Sequence, residues 1–406
     1  MNENKRHNVL IINCGSSSVK FEVYNMADGE KVLANGIIER IGLQEPMLTF
    51  KRADGKKQRE VIHITNHKEA LATICAKLVD PEIGVFQSLE EVDAIGHRVL
   101  HGGSKMTDST LVTEAVKDKI RECFPLGPLH NPPNLAGILA CEANMPGVPN
   151  VAVFDTAFHQ TMPPEYAFYA IPREIYEKYD VRKYGFHGTS HRYVTGATAR
   201  FLNRELNDLN IITCHLGNGS SCAAIKHGKV MDTSMGLTPL QGLVMGTRCG
   251  DIDAAVVLYL IRQGMDVDAV DKLLNKESGF LGVADIHSSD MRDLIEAKEK
   301  GNPTAQLAFD MFLARLVSYI GSYFVTLQKP EAVVFTGGIG ENSAYVREQV
   351  VTRLGVLGCT LDPEKNKVIG KACVISTDDS PLKAIVMPTN EELMIARDTV
   401  AIASKQ

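Results

Sequence analysis

The sequence has no long hydrophobic run and no excess of positive charge. The longest purely apolar stretch, Ala254 to Ile261, has 8 residues, far fewer than the ~20 that a membrane-spanning helix needs. The segment Met1–Asn8 is polar and basic, so we expect no signal peptide. A formal net charge of −6 offers no electrostatic footprint for nucleic acid or an anionic membrane. We therefore expect a cytoplasmic protein without nucleic-acid or membrane partners.

Cysteine motifs for metal and redox chemistry are missing as well. Of the nine cysteines, no two have the C-x-x-C spacing, which excludes the usual zinc and redox motifs. A disulfide framework is not expected in a large cytosolic chain. Cys14, Cys214 and Cys249 lie beside motifs described below, and we interpret each as a small buried apolar side chain.

The common nucleotide-binding signatures are also absent. The sequence contains no G-x-x-x-x-G-K-[ST] segment, which argues against a P-loop fold. It has no H-R-D or D-F-G motif of protein kinases, and no G-x-G-x-x-G follows the first predicted strand. A nucleotide would have to be bound by a different architecture.

The chain is long enough for two or three domains, and its two halves contain a similar motif. With 406 residues and 44% hydrophobic residues it can bury a sizeable core. Asn8–Val23 is predicted as two strands around a small polar turn, and residues 211–225 have the same pattern about half a chain later. This spacing suggests an internal duplication with one hairpin in each domain. Alternating strand and helix patterns elsewhere indicate an α/β fold.

Periodicity predicts several further elements. Short strands are expected at Val92–Ile95, Val151–Phe154 and Ala332–Phe335, and helices at Asn134–Ala143, Thr304–Leu327, from near Ser343, and at Glu391–Ser404. Thr389 and Glu392 fit a capping box for the last helix, which would leave Glu391 free for another role.

Three small-residue turns could bind phosphate groups. They are Asn13–Ser18, His215–Ser221 and Gly337–Asn342, each at the end of a predicted strand. Small residues let backbone N–H groups approach an anion closely, although any one of these segments could be an ordinary turn. Metal-bound ATP would also need hard oxygen ligands, for which Asn13 and Glu391 are candidates.

Four polar clusters contain the candidate catalytic side chains. Each puts a charged or titratable residue among glycines or apolar residues after a predicted strand: Arg98, Asp155, His187 and Arg248. A lone residue of this kind is more often a structural hydrogen-bonding group. Two arginines and a histidine together could stabilise the charge on a phosphoryl group during transfer.

The motifs together resemble the acetate kinase family over essentially the full length of the chain. The segments that carry this resemblance are NCGSSSVK, YGFHGTSH, HLGNGSS, MGTRCGD, TGGIGEN and PTNEE, in this order. The resemblance implies an α/β fold of two duplicated actin-like ATPase domains, with ribonuclease H-like βββαβαβα cores and an ATP cleft between them. Residues 1–155 and 389–406 would form the acyl-substrate and metal lobe, and residues 156–388 the nucleotide lobe.

The resemblance also implies roles for individual residues. It makes Asn13 and Glu391 ligands of Mg²⁺, with Mn²⁺ as a substitute. It makes ATP contacts of Lys20, His215, Leu216, Gly217, Asn218, Gly219, Asp290, Met291, Arg292, Gly338, Ile339, Gly340, Glu341 and Asn342. Arg98 would bind the substrate carboxylate, and His187 and Arg248 would stabilise the transition state. Asp155 would act either as a proton donor and acceptor or as an electrostatic organiser of the metal and the arginine. Since an ionised carboxylate needs no deprotonation before it attacks, we favour the electrostatic role.

The implied reaction is reversible, direct in-line transfer of the γ-phosphoryl group of ATP to acetate, giving acetyl phosphate and ADP, in a homodimer. The methyl pocket would consist of Leu100, Leu129, Phe186 and Pro239, and the bulk of Leu100 favours acetate over propionate. One methylene is worth only ~1–3 kcal/mol, so a propionate or short-chain fatty acid kinase stays an alternative. A second alternative is an ATP-driven clamp of the actin or heat-shock kind, but those proteins lack the Arg98, His187 and Arg248 set.

Overall fold

The computed structural model describes residues 8–405. Contacts divide the chain into two compact units. The first contains the residues up to Ala157 together with those from Asn390 onward, and the second is Phe158–Thr389. Each unit has its own β-sheet and its own hydrophobic core.

The first unit contains an eight-stranded sheet in the order β5-β4-β3-β2-β1-β6-β8-β7. Its strands are β1 (Asn8–Cys14), β2 (Ser18–Asn25), β3 (Lys31–Glu39), β4 (Met47–Arg52), β5 (Lys57–Val61), β6 (Ala94–Val99), β7 (Thr110–Leu111) and β8 (Asn150–Phe154). Its helices are α1 (His67–Leu78), α2 (Glu114–Glu122), α3 (Asn131–Asn144) and the last helix of the chain, α14 (Glu391–Ala403). Strands β1 to β5 form an antiparallel meander, whereas β1, β6 and β8 are parallel.

The second unit contains a six-stranded sheet in the order β11-β10-β9-β12-β14-β13. Its strands are β9 (Asn210–Leu216), β10 (Ser220–Lys226), β11 (Lys229–Thr233), β12 (Ala332–Thr336), β13 (Cys373–Val374) and β14 (Lys383–Val386). Its helices are α4 (Pro164–Ala167), α5 (Arg173–Tyr179), α6 (Gly188–Phe201), α7 (Ala254–Arg262), α8 (Val267–Lys276), α9 (Gly279–Ala284), α10 (Met291–Glu299), α11 (Pro303–Leu327), α12 (Gly337–Asn342) and α13 (Ala344–Arg353).

The two sheets share one topology, which confirms the predicted duplication and fold class. In each, a three-stranded antiparallel meander is followed by two parallel strands: β3-β2-β1-β6-β8 in the first unit and β11-β10-β9-β12-β14 in the second. The predicted hairpins are β1–β2 and β9–β10. Because the parallel strands end at the same edge of their sheet, polar residues that follow them in sequence are brought close together.

Two glycines let helices approach the first sheet closely. A Cβ on Gly96 in β6 would lie 2.4 Å from Thr399 Oγ1 and 2.7 Å from Ile395 Cγ2, so its absence lets α14 pack on the strand. A Cβ on Gly137 in α3 would lie 2.4 Å from Cys14 Sγ at the end of β1. Close packing therefore fixes α14 against β6 and α3 against the end of β1, and residues of the candidate site lie on or next to these two strands.

Three local predictions are wrong. The N-cap of α14 is Asn390, whose side chain accepts a hydrogen bond from the Leu393 N–H. The hydroxyl of Thr389 instead lies 2.8 Å from Ser190 Oγ, so the predicted capping box with Glu392 does not form. Helix α3 begins at Asn131, whereas it was expected to begin at Asn134, after two prolines. Prolines are tolerated in the first turn because the N–H groups that they lack would have no partner within the helix. Gly337–Asn342 is itself a short helix rather than a turn that leads into the helix expected from near Ser343.

One helix among the described residues, α11, is long and apolar enough to cross a membrane by length and composition alone. Its residues Ala308, Phe312 and Leu316 are fully buried in the core of the second unit. The buried helix at the centre of a folded domain passes the same test of length and composition.

Candidate active site

Arg98 and Asp155 form a bidentate ion pair in the first unit. Arg98 comes just before the end of β6, and Asp155 directly follows the neighbouring parallel strand β8. Arg98 Nε donates to Asp155 Oδ1 at 3.0 Å, and Nη2 donates to Oδ2 at 2.5 Å. The Asp155 side chain is fully buried, while that of Arg98 is 25% exposed. The buried carboxylate therefore fixes the guanidinium plane and leaves its other donors for a ligand.

Glu391, the first residue of α14, adds a second carboxylate near Arg98. Its Oε2 lies 3.9 Å from Arg98 Nε. Burial raises the pKa of Glu391 to about 7; Arg98 opposes this shift, and the negative charge of Asp155 reinforces it. Two carboxylates that share one arginine can accept a further cation, which agrees with a Mg²⁺ ligand at Glu391.

A cavity of about 220 Å³ adjoins this ion pair. It is lined by Asn13, Cys14, Gly15, Ser18, Lys20, Arg98, Leu100, His130 and Asn134. A cationic group and the buried side chain of Leu100 thus share one space, as a small carboxylate with an apolar end requires. Leu129 is 46% exposed and does not line this cavity.

The Asn134 side chain connects the ends of β1 and β6 beside this cavity by hydrogen bonds. This role was not predicted from the sequence. Its Oδ1 accepts from the Leu100 N–H at 3.0 Å, and its Nδ2 donates to the Cys14 carbonyl at 2.7 Å. One buried amide therefore sets the position of the chain beside both Arg98 and Asn13.

In the second unit, the β9–β10 hairpin carries the segment His215–Gly219. Ser220 Oγ accepts from the Gly217 N–H at 3.2 Å and donates to the Gly217 carbonyl at 2.9 Å, which fixes the turn. Asn218 is exposed at the tip, whereas the Leu216 side chain is fully buried in the core. Only the backbone of Leu216 is thus available to a ligand.

His187 and Arg248 converge beside this hairpin. His187 has a φ of 57°, precedes α6, and stacks on the His215 ring with centroids 4.3 Å apart. A Cβ on Gly219 would lie 3.4 Å from Arg248 Nη1 and 3.5 Å from His187 Nε2, so both nitrogens border a space that a side chain would fill. A phosphoryl group there could accept hydrogen bonds from both.

Arg248 has only neutral partners within the described part of the chain. Its Nη1 donates to the Pro239 carbonyl at 3.1 Å and contacts Met245 Sδ at 3.6 Å. Burial lowers the pKa of the Arg248 guanidinium.

Phe186, the other predicted pocket residue of this unit, is fully buried next to His187, and its carbonyl lies 2.8 Å from His159 Nε2.

A larger cavity of about 600 Å³ lies at the other predicted nucleotide segments. Its lining residues are Gly217, Asn218, Ser289, Asp290, Met291, Arg292, Ile295, Gly338, Ile339, Asn342 and Ser343. Asp290 caps α10 and holds the exposed Arg292 by an ion pair at 2.7 Å. Gly340 and Glu341 do not line the cavity. The Glu341 carboxylate accepts from the N–H groups of Gly337 and Thr389 at 2.9 and 3.1 Å, so it shapes the segment instead.

Arg347 supports the Gly337–Asn342 segment beside this cavity by hydrogen bonds to its backbone. Its role was not predicted from the sequence. It is fully buried in α13 and donates to the carbonyls of Gly340, Glu341, Asn366 and Val368 as well as to Asn366 Oδ1. Burial lowers its pKa to about 10. An arginine inside an amphipathic helix normally indicates a solvated face, so no sequence signal pointed to this position.

Comparison with known proteins gives consistent results. A model of the acetokinase family matches residues 8–397. The chain is 52% identical to an acetate kinase of Desulfitobacterium hafniense, over 98% of this chain and 99% of that protein. The crystal structure of Porphyromonas gingivalis acetate kinase superposes with a TM-score of 0.92 at 44% identity, covering 98% of this chain and 99% of the other. A propionate kinase from Francisella tularensis has a TM-score of 0.91 at 41% identity, with coverage of 98% and 100%.

Proposed function

Because the chain belongs to the acetokinase family, we propose that it transfers the γ-phosphoryl group of ATP directly and reversibly to acetate, giving acetyl phosphate and ADP. It is a kinase with a carboxyl acceptor and uses ATP and ADP. The observation that carries the detailed proposal is the pair of nitrogens beside Gly219, Arg248 Nη1 and His187 Nε2. Arg248 has no carboxylate partner in the described chain, so an anionic ligand would supply the missing negative charge.

In this proposal Arg98 binds the acetate carboxylate through the donors that Asp155 does not use, and Leu100 contacts the methyl group. A carboxylate oxygen forms a bond to the γ-phosphorus, while the bond from phosphorus to the bridging oxygen breaks and its electron pair stays on ADP. Acetate is already ionised at neutral pH, so no general base is needed. Asp155 then acts by orienting Arg98, as its fork-shaped contact suggests.

The second unit would bind the nucleotide. The 600 Å³ cavity would take the nucleoside through residues Asp290 to Arg292 and the Gly338 segment, and the hairpin from His215 to Gly219 would approach the phosphates. His187 and Arg248 would then stabilise charge on the transferring group. Asn13, Lys20 and Glu391 would serve the metal–nucleotide complex, where Mg²⁺, or Mn²⁺ in its place, would neutralise phosphate charge.

Propionate is the competing acceptor, and the similarity to a propionate kinase makes the comparison necessary. Leu100 is 8% exposed and takes up part of the 220 Å³ cavity, which favours the smaller acid. Rates with acetate, propionate and butyrate distinguish these acceptors. A preference for propionate would contradict the role that we give to Leu100.

The function is tested by incubating ATP, acetate and hydroxylamine with the protein and measuring acetyl hydroxamate. We expect Arg98→Ala and Arg248→Ala each to lower turnover by orders of magnitude while ATP still binds, and Arg121→Ala, at an exposed surface ion pair, to leave it unchanged. Near-wild-type turnover in both site variants would exclude this mechanism. ATP hydrolysis without hydroxamate would favour the actin-like or heat-shock-like clamp.

We also propose a homodimer that uses α7. This helix contains the longest apolar run of the chain, yet none of its residues is buried, and Leu258 and Tyr259 are 53% and 60% exposed. A second copy could cover this uncharged face. Leu258→Glu should shift the mass measured by light scattering to that of a monomer, whereas Leu43→Glu, at an equally exposed position, should not. An unchanged mass in Leu258→Glu would reject this interface.

A cytoplasmic location without nucleic-acid or membrane partners stays a prediction from the sequence.

A further inference from the structure

A buried hydroxyl connects His187 to a second histidine. Ser221 Oγ lies 2.9 Å from His187 Nδ1 and 2.8 Å from His191 Nε2, and Ser221 is fully buried. His191 follows one helical turn after His187 in α6 and is also fully buried. Its other ring nitrogen, Nδ1, lies 2.7 Å from Thr213 Oγ1 in β9. Four side chains thus form one chain of hydrogen bonds that ends at His187.

The neutral state of His191 restricts how protons can be arranged in this chain. Burial lowers the pKa of His191 well below its usual value, and the neighbouring rings of His159 and His215 act in the same direction. A neutral imidazole carries one proton, so one of its nitrogens donates and the other accepts. Ser221 has a single proton and can donate it to only one of the two rings. The His215 ring stacks on His187, and the Arg248 guanidinium lies near it across Gly219.

Two directions of donation satisfy all four groups. In the first, Thr213 donates to His191, His191 donates to Ser221, and Ser221 donates to His187 Nδ1. A neutral His187 then carries its proton on Nε2, the nitrogen beside Gly219 and Arg248. In the reverse direction His187 Nδ1 is the donor, and a neutral ring would present an unprotonated Nε2 to a phosphoryl oxygen.

We propose that Ser221 is a positioning residue which, through His191 and Thr213, holds neutral His187 in the tautomer with the proton on Nε2. This inference rests on the proposed function, because an Nε2–H donor is useful only where an anionic oxygen develops charge. It gives His187 a donor to the phosphoryl group over a wide pH range, without requiring the ring to be cationic. Ser221 contributes by orienting and polarising His187, in the manner of the outer groups that fix catalytic histidines elsewhere.

The kinetic test compares Ser221→Ala with Thr198→Val. Thr198 lies on α6, the helix of His191, and its buried hydroxyl has no hydrogen-bond partner among the described residues, so its removal is a matched control. We expect Ser221→Ala to lower kcat ~10- to 100-fold at pH 8, with a much smaller change in the KM for ATP. The loss should be smaller at any pH at which the His187 ring is cationic, because such a ring carries a hydrogen on Nε2 whatever Nδ1 contacts. Thr198→Val should match wild type.

The direct test is the tautomer itself. In protein with ¹⁵N-labelled histidine, long-range ¹H–¹⁵N spectra distinguish Nε2–H from Nδ1–H, and His187→Gln identifies the signal. We expect Nε2–H in wild type and a mixture in Ser221→Ala. Should Ser221→Ala fail to fold, Thr213→Val interrupts the hydrogen-bond chain at its far end and should show the same loss of kcat to a smaller extent.

An Nδ1–H tautomer in wild type, or an unchanged kcat in Ser221→Ala, would overturn the inference. Absence of hydroxamate formation in the wild-type protein would instead overturn the proposed function. The tautomer signal is read without substrate, so the two failures are distinguishable.

Discussion

The contact between Arg98 and Asp155 allows the role of Asp155 to be measured by a double-mutant cycle. Asp155→Asn keeps the size of the side chain but replaces one carboxylate oxygen with an NH₂ group that faces Arg98 Nη2. One of the two charge-assisted bonds, at 3.0 and 2.5 Å, is then lost. If Asp155 serves to orient Arg98, its substitution should matter only while Arg98 is present.

The expected size follows from the geometry. Loss of one hydrogen bond between charged groups costs ~1.5–3 kcal/mol, which corresponds to a ~10- to 150-fold decrease in kcat/KM for acetate. Arg98→Ala removes the carboxylate-binding group altogether and leaves Asp155 buried without its partner, so a loss of ~10³-fold or more is expected. The double variant should lie within ~3-fold of Arg98→Ala, because Asp155 no longer has anything to orient.

The cycle is measured with hydroxamate formation at saturating ATP and varied acetate. The KM for ATP should be unchanged in Asp155→Asn, since the nucleotide residues belong to other segments. Thermal unfolding supplies a second reading: the double variant should be more stable than Arg98→Ala alone, because it no longer buries an uncompensated carboxylate. If the effects of the two single substitutions multiply in the double variant, Asp155 acts independently of Arg98, and the orienting role is refuted.

Substitutions at three further positions test other parts of the structure. Arg347→Met removes the guanidinium donors from four backbone carbonyls, and Arg347→Lys cannot reproduce the fork; both should lose ~3–5 kcal/mol in chemical denaturation and raise the KM for ATP. Burial and the nearby Glu392 raise the pKa of Glu22 to about 7, above its value in the unfolded chain, so wild-type stability should fall as pH rises from about 4.5 to about 7. Glu22→Gln should remove this dependence and gain ~1–2 kcal/mol at pH 8, but nothing at pH 4. Leu100→Ala should raise the propionate-to-acetate rate ratio ~10-fold or more, as enlarging the 220 Å³ cavity would admit the extra methylene.

Duplication and fold class could be predicted because the signal is repeated. Each half of the chain begins its sheet with a strand–turn–strand motif, and β1–β2 and β9–β10 form where these were expected. The outer strands of the first meander, β4 and β5, were not predicted. Their sequences, MLTFKR and KQREV, contain charged residues on the solvent-facing side and are therefore difficult to distinguish from surface loops. Only pairing with the neighbouring strands shows that they belong to the sheet.

Local hydrogen-bond competition was harder to predict. The segment Thr389–Glu392 offers two overlapping caps, and the one that forms depends on Ser190, far away in sequence, which lies 2.8 Å from the Thr389 hydroxyl. The TGGIGEN segment similarly folds into a helix because Arg347 and Glu341 satisfy its backbone groups. Asn134, Ser221 and Arg347 are single polar residues whose partners lie in other elements, so spacing along the chain carries no signal for them.

The two arginines of the candidate site differ in a way that composition conceals. Arg98 has two carboxylates nearby, Asp155 and Glu391, so this group carries a net charge of −1 when all three side chains are ionised. Acetate would enter such a group against repulsion. Burial is the main cause of the raised pKa of Glu391, and the charge of Asp155 adds to the shift while Arg98 opposes it. Arg248 has no carboxylate partner among the described residues and is surrounded by neutral acceptors. A phosphoryl group beside Gly219 would therefore be attracted by uncompensated positive charge, whereas at Arg98 the charge of Glu391 would be offset by Lys20 and by a bound cation. The net charge of −6 thus conceals a locally positive group in one unit and a locally negative group in the other.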